Sequence, residues 1–162
     1  MVLFENVFPA TPSGKIALVS ELLGQRWGEA ARIAGWTERD ASLPLMLISP
    51  ASDKRVSSTF GGFDGSLRPP KLLMHPVDAT ARGLRSGVEV RLWNGLGEVI
   101  LPLEVTEAVR PGVVSSEKGA WLSTSRTGQT ISALVSADAR ADLAGGACFN
   151  DTQVEVESLV DA

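Results

Sequence analysis

The stretch that most constrains this chain is the alternation on either side of Asn94-Gly95. Val88, Val90 and Leu92 hold every second position before it, and Val99, Leu101, Leu103 and Val105 every second position after it. Successive side chains of a strand point to opposite faces, so each run presents one apolar face. Asn-Gly is a strong hairpin signal, because both residues tolerate a positive φ at the centre of a tight turn. A slip of one residue would turn an apolar set to solvent, so the register is specified too. The expectation is an antiparallel hairpin from Val88 to Val105, with Pro102 marking an edge or a bulge.

Four further runs read as strands. Pro44-Leu45-Met46-Leu47-Ile48-Ser49 is unbroken and apolar, which predicts a strand covered on both faces. Lys71-Leu72-Leu73-Met74 is a shorter version, and Gly112-Val113-Val114-Ser115 and Val154-Glu155-Val156-Glu157 follow. One short helix is expected, from Asp78 as the cap of the Ala79–Ala81 amides to Gly83, with His75 a strand-end residue held by Pro76. Sixteen glycines and nine prolines among 162 residues agree with short strands and many turns. The prediction is a mainly β fold, a small six-stranded barrel over residues 44–162. Residues 1–43 differ in texture. Thr11-Pro12-Ser13-Gly14 reads as a turn, Ser20 as an N-cap for Glu21-Leu22-Leu23 and Gly24 as its stop, with weak helical spacing from Arg26 to Ile33. This segment is read as an N-terminal lead-in arm.

Composition removes several functions. Fifteen basic and nineteen acidic residues give a net charge of −4, with no basic block, which argues against a phosphate-tracking surface for nucleic acid. Cys148 and His75 are the only residues of their kinds, so an internal disulfide or a Cys/His metal site has no ligands. The longest apolar stretch, Leu43 to Ile48, is far too short for a membrane span. The start of the chain has neither a basic beginning nor a long apolar centre, so it is not expected to be a secretory signal. A lone cysteine suits a reducing compartment such as the cytoplasm. No Gly-x-Ser-x-Gly elbow is present, and Gly61-Gly62-Phe63-Asp64-Gly65 lacks the Lys-Ser/Thr ending of a P-loop. No residue is expected to be catalytic.

One stretch concentrates binding chemistry. Directly after the first strand, Ser49-Pro50-Ala51-Ser52-Asp53-Lys54-Arg55-Val56-Ser57-Ser58-Thr59 combines hydroxyls, a carboxylate and two cations. Hydroxyls and loop amides hold phosphate oxygens, Arg55 can grip a phosphate with two N–H groups, and Asp53 can accept from the amine of a guanine or pterin. A solvated polar loop is the plain alternative.

The order of short blocks then resembles a known family. Phe8-Pro9-Ala10-Thr11-Pro12-Ser13-Gly14-Lys15-Ile16, Leu45 to Pro50, His75-Pro76-Val77-Asp78-Ala79, Ser86-Gly87-Val88-Glu89-Val90, Arg110-Pro111-Gly112-Val113-Val114, Gly119-Ala120-Trp121 and Gly146 to Thr152 occur in sequence. Together they resemble the last domain of the molybdopterin oxidoreductases of the dimethyl sulfoxide reductase superfamily. The resemblance implies a six-stranded double-psi β-barrel with short helices, the cap that closes over molybdopterin guanine dinucleotide. It also implies that molybdenum or tungsten is held by the preceding domains of a larger enzyme, which would be the partners of this chain, in the cytoplasm or, for the parent, the periplasm. Carried over onto this sequence, the cofactor-binding residues would be Ser49, Ser52, Asp53, Arg55, Ser57, Ser58, Thr59, Trp121, Ser132 and Asn150. The chain departs from the family pattern at three places. Val88 replaces an aspartate after Gly87, Ser132-Ala133-Leu134-Val135 stands for Asn-x-Leu-Thr, and Val56-Ser57-Ser58-Thr59 for a stretch with His-Ser-Gln. Two alternatives keep the barrel: a free-standing subunit or interaction module, and a self-cleaving pyruvoyl decarboxylase using Gly65-Ser66.

Overall fold

The computed structural model describes residues 6–33, 42–53, 56–59, 70–139, 146–148 and 150–159. They fall into two compact units, the first made by the described residues 6–33 and the second by those from 42 onward.

In the first unit a helix, α1, runs from Glu21 to Trp27. Ser20 caps it as expected, its Oγ accepting from the Leu23 amide at 3.3 Å. The helix continues through Gly24, where the stem of Arg32 occupies the space that a Cβ would fill, and stops instead at Gly28. The helical spacing after Arg26 gives a single 3-10 turn at Glu29–Ala31. Arg32 pairs with both Glu21 and Glu29, and its amide neighbourhood is closed by Ser20 N–H donating to Arg32 O at 2.9 Å. α1 buries none of its residues.

The second unit is a closed barrel of six strands: β1 (Leu45–Ile48), β2 (Leu72–Met74), β3 (Glu89–Asn94), β4 (Gly97–Val105), β5 (Val113–Ser115) and β6 (Thr152–Ser158). Around the barrel the order is β1-β5-β2-β4-β3-β6. β1 and β2 follow one another in sequence but do not pair; β5 lies between them, parallel to β1 and antiparallel to β2. β4 in turn is parallel to β2 and antiparallel to β3. This threading of late strands between early ones makes the double-psi barrel, and closure leaves no edge strand.

The hairpin has the expected register, with Val90 opposite Leu101 and Leu92 opposite Val99. These four, with Leu45, Leu47, Leu72, Met74, Leu103, Val114, Ile131, Leu134, Val154 and Val156, fill the core. The turn is displaced from the expectation. Asn94 pairs with Gly97, so Gly95-Leu96 forms the loop, and Gly95 does not take a positive φ. Asn94 instead works through its side chain: Oδ1 accepts from Leu96 N, and Nδ2 donates to Leu134 O at 2.8 Å and Gln153 O at 3.2 Å. At the other end of the hairpin Gly87 and Val88 together face Leu103, with Gly87 N donating to Leu103 O and Leu103 N to Val88 O, both at 2.8 Å. Gly87 takes φ +88, so this is a glycine bulge, and it lies beside Pro102.

Two further expectations are corrected. β1 is covered on one face, not two: Leu45 and Leu47 are buried, whereas Met46 is half-buried and Ile48 exposed, because a barrel has a single interior. The helix after β2, α2 (Pro76–Ala81), begins earlier than expected and is capped by His75 rather than Asp78, the His75 Nδ1 accepting from Val77 N at 3.2 Å. Pro76 has no N–H and suits the first helical position, which places the cap at His75. Asp78 is thereby free to accept from Gly112 N at 2.8 Å, fastening α2 to the turn before β5. Gly83 and Leu84 amides bond back to Thr80 and Ala79 carbonyls and close the helix at the expected glycine.

Candidate functional site

Strand directions decide which loops meet. β1, β3 and β5 run one way and β2, β4 and β6 the other, so the connections 49–71, 95–96 and 116–151 all leave one end of the barrel. Ser49, Ser52, Asp53, Ser57, Ser58 and Thr59 belong to the first connection, and Trp121, Ser132 and Asn150 to the third. Arg55 and the Gly65-Ser66 dipeptide lie outside the described residues.

Within this end the residues form two groups. In the first, the parallel neighbours β1 and β5 stop side by side, with Ser116 N donating to Ile48 O at 3.2 Å and Lys118 N to Pro50 O at 3.0 Å. Val56-Ser57-Ser58-Thr59 then makes a tight turn, closed by Thr59 N to Val56 O at 3.0 Å, with Ser57 at φ +50. Trp121 Nε1 donates to Ser58 O at 2.6 Å. Ser57, Ser58, Thr59 and Asp53 are exposed and Ser52 is half-buried. In the second group Ser132 sits exposed on the 3-10 turn Ile131–Leu134, which Asn94 ties to the start of β6. Asn150 is exposed two residues before β6. Among the described residues no hydrogen bond or ion pair joins Ser132 or Asn150 to the first group.

Sequence reasoning missed Ser116 and Lys118. Ser116 is almost completely buried, and its Oγ, like that of Ser49, has no hydrogen-bond partner. Buried hydroxyls are normally paired, so two orphans at the ends of adjacent parallel strands mark a place where an oxygen-rich ligand or an amide edge would complete the bonding. Lys118 stands exposed beside them as a cation. This donor set fits a phosphorylated, amine-bearing cofactor. The only local hint was that two apolar runs, Leu45–Ile48 and Val113–Val114, each end on serine.

Residues 45–153 match the family described as Molydopterin dinucleotide binding domain. The chain is 34% identical over 160 residues to the probable oxidoreductase YoaE of Bacillus subtilis, a match that covers 97% of this chain and 23% of that protein. It is 32% identical over 136 residues to the dimethyl sulfoxide reductase DmsA of Escherichia coli, over 68% of this chain and 16% of that protein. Among solved structures, acetylene hydratase from Pelobacter acetylenicus aligns with a TM-score of 0.55 and 26% identity, over 72% of this chain and 18% of that one. The chain thus spans less than a quarter of the length of each of these relatives.

Proposed function

The chain belongs to the molybdopterin dinucleotide-binding domain family, whose cofactor in the dimethyl sulfoxide reductase superfamily is molybdopterin guanine dinucleotide, and from that premise we propose that it caps the cofactor in a larger molybdenum or tungsten oxidoreductase. One observation carries the proposal. The barrel end that bears the polar loops also bears most of the exposed large apolar side chains of this unit: Ile48, Val56, Leu96, Trp121 and Leu122, against Val77 alone at the other end among the described residues. Exposed apolar groups gathered beside polar loops are the composition of a surface that another body covers. The cap therefore closes with this end towards the cofactor and the preceding domains.

The chain's own groups bind and orient. Ser49, Ser116 and Lys118 supply hydroxyl and ammonium donors for phosphate oxygens, and Asp53 an acceptor for an amine. The net charge of −4 does not oppose this, since unpaired charges farther than about 8–10 Å are screened at physiological salt while local donors are not. The metal of the bound cofactor supplies the redox or atom-transfer chemistry. Relatives named for sulfoxide reduction and for acetylene hydration share this domain, so the part of the protein that selects the substrate lies elsewhere.

The test is purification, from its host, of the protein that contains this chain. Its mass and the guanine nucleotide released by acid hydrolysis would be measured. The expected outcome is a protein several times heavier than 17.1 kDa that releases close to two guanine nucleotides per chain. A 17.1 kDa protein, or one that releases none, overturns the reading.

A further inference from the structure

Trp121 carries one hydrogen-bond donor, the indole N–H, and that donor is already committed to Ser58 O at 2.6 Å. It therefore has no polar atom left for a ligand. Two residues earlier Gly119 takes φ +93, where a side chain is disfavoured, and packs against the same turn from the same strand-end segment. A Cβ at Gly119 would overlap the carbonyl oxygen of Ser57, lie 2.7 Å from its carbon and 3.3 Å from Ser58 N. Those neighbours are backbone, so no side-chain rotation could relieve the overlap. Ser57 itself is held at φ +50, a conformation that costs a non-glycine residue energy unless its surroundings enforce it. The 118–121 segment thus meets the carbonyls of both Ser57 and Ser58 in the turn Val56–Thr59.

We propose that Gly119 and Trp121 form a clasp that holds the Val56–Thr59 turn in its left-handed shape and so positions Ser57, Ser58 and Thr59 for the dinucleotide. Both are positioning residues; Trp121 acts through Ser58. The assignment rests on the cofactor reading above. It replaces a direct polar contact from Trp121 to the ligand, and it gives Gly119 a role in the site. The clasp joins connections about sixty residues apart in sequence, and the adjoining bonds Lys118 N to Pro50 O and Ser116 N to Ile48 O make it the outer end of a continuous seam between β1 and β5.

Three variants of the host-purified protein separate the possibilities: Trp121→Phe, Trp121→Ala and Gly119→Ala. Guanine nucleotide retained after extended dialysis, hydrogen exchange of peptides covering 56–59 and 118–121, and the thermal midpoint would be measured. Trp121→Phe keeps an aromatic face and removes the N–H, so the clasp predicts that it loses nearly as much nucleotide as Trp121→Ala, about fivefold or more. Gly119→Ala should match it, speed exchange at 56–59, and move the midpoint by less than about 2 °C, because neither residue belongs to the core. A merely structural role would shift the midpoint with the nucleotide. Full retention in Trp121→Phe with loss only in Trp121→Ala would make Trp121 a stacking contact and overturn the clasp. So would unchanged exchange at 56–59 in Gly119→Ala. An unaltered protein that releases no nucleotide overturns the cofactor reading instead, so the two failures are distinguishable.

Discussion

The two ends of the barrel are finished to different standards. At the end with α2, polar groups are paired: Asp78 Oδ2 accepts from Gly112 N at 2.8 Å and Ser86 Oγ from Val105 N at 2.7 Å, and the side chain of Arg82 donates through Nε to Glu155 Oε1 at 2.7 Å. At the opposite end Ser49 and Ser116 bury hydroxyls without partners, Ser57 is held in a left-handed turn, and five large apolar side chains face outward. A chain that folds around its own core pairs its buried polar groups. Where it leaves them unpaired beside exposed apolar surface, the partner belongs to something else. The contrast agrees with the proposed function, in which one end maintains the barrel and the other receives the cofactor.

The largest effect that would break this contrast comes from Asp78→Ala. It leaves the Gly112 amide without its acceptor and should cost about 2 kcal/mol of stability, measured by urea unfolding. Nucleotide content per folded molecule should stay the same. Normal stability with reduced nucleotide content would place the binding function at the wrong end.

A smaller effect probes the Arg82–Glu155 tie with pH. Burial alone would raise the Glu155 carboxyl, but the hydrogen bond from Arg82, the Val156 amide and the Arg82 charge outweigh it and hold it below its ordinary value. A carboxyl depressed in the folded state contributes stability that is fully present above its unfolded value, about 4.5, and is lost as pH falls through the lower folded one. Glu155→Gln should therefore cost about 1 kcal/mol at neutral pH, given partial solvent screening, and flatten the fall in stability below pH 4.5. An unchanged acid limb in the variant would remove Arg82–Glu155 from the account of that end.

Smallest in stability, and sharpest for the contrast, is Ser116→Ala. Removing a buried hydroxyl that has no partner should change stability by less than about 0.5 kcal/mol in either direction. Nucleotide retention should nevertheless fall severalfold. A clear destabilisation with full retention would show that Ser116 serves the fold.

Much of the barrel was legible because hairpin signals are local. Alternation on both sides of Asn94-Gly95 placed Val90, Leu92, Val99 and Leu101 in the core, and the six apolar runs became the six strands. Errors arose where one residue had two uses. Asp78 is a good helix cap, but Pro76 takes the first helical position and moves the cap to His75, releasing the carboxylate for a contact 34 residues away. Asn94 suits a left-handed turn, yet its amide is needed to bridge Leu134 and Gln153. Of the candidate site, the Ser49–Thr59 loop was visible as a cluster of hydroxyls and charges. Ser116 was not, since the second of two serines after a pair of valines is unremarkable until β5 lies against β1.

What the sequence determined by itself was the faces of the strands, the hairpin register and, through the order of its short blocks, the cofactor family. These depend on neighbours a few residues apart or on pattern alone. Tertiary structure alone decided which loops share an end and which hydroxyls go unpaired. Both follow from parallel pairing of β1 with β5 and of β2 with β4, partners that no turn connects. Parallel neighbours are joined by long crossovers, so their choice of partner is made by the closing of the barrel around its core, and a serine acquires its role only when the strand beside it arrives.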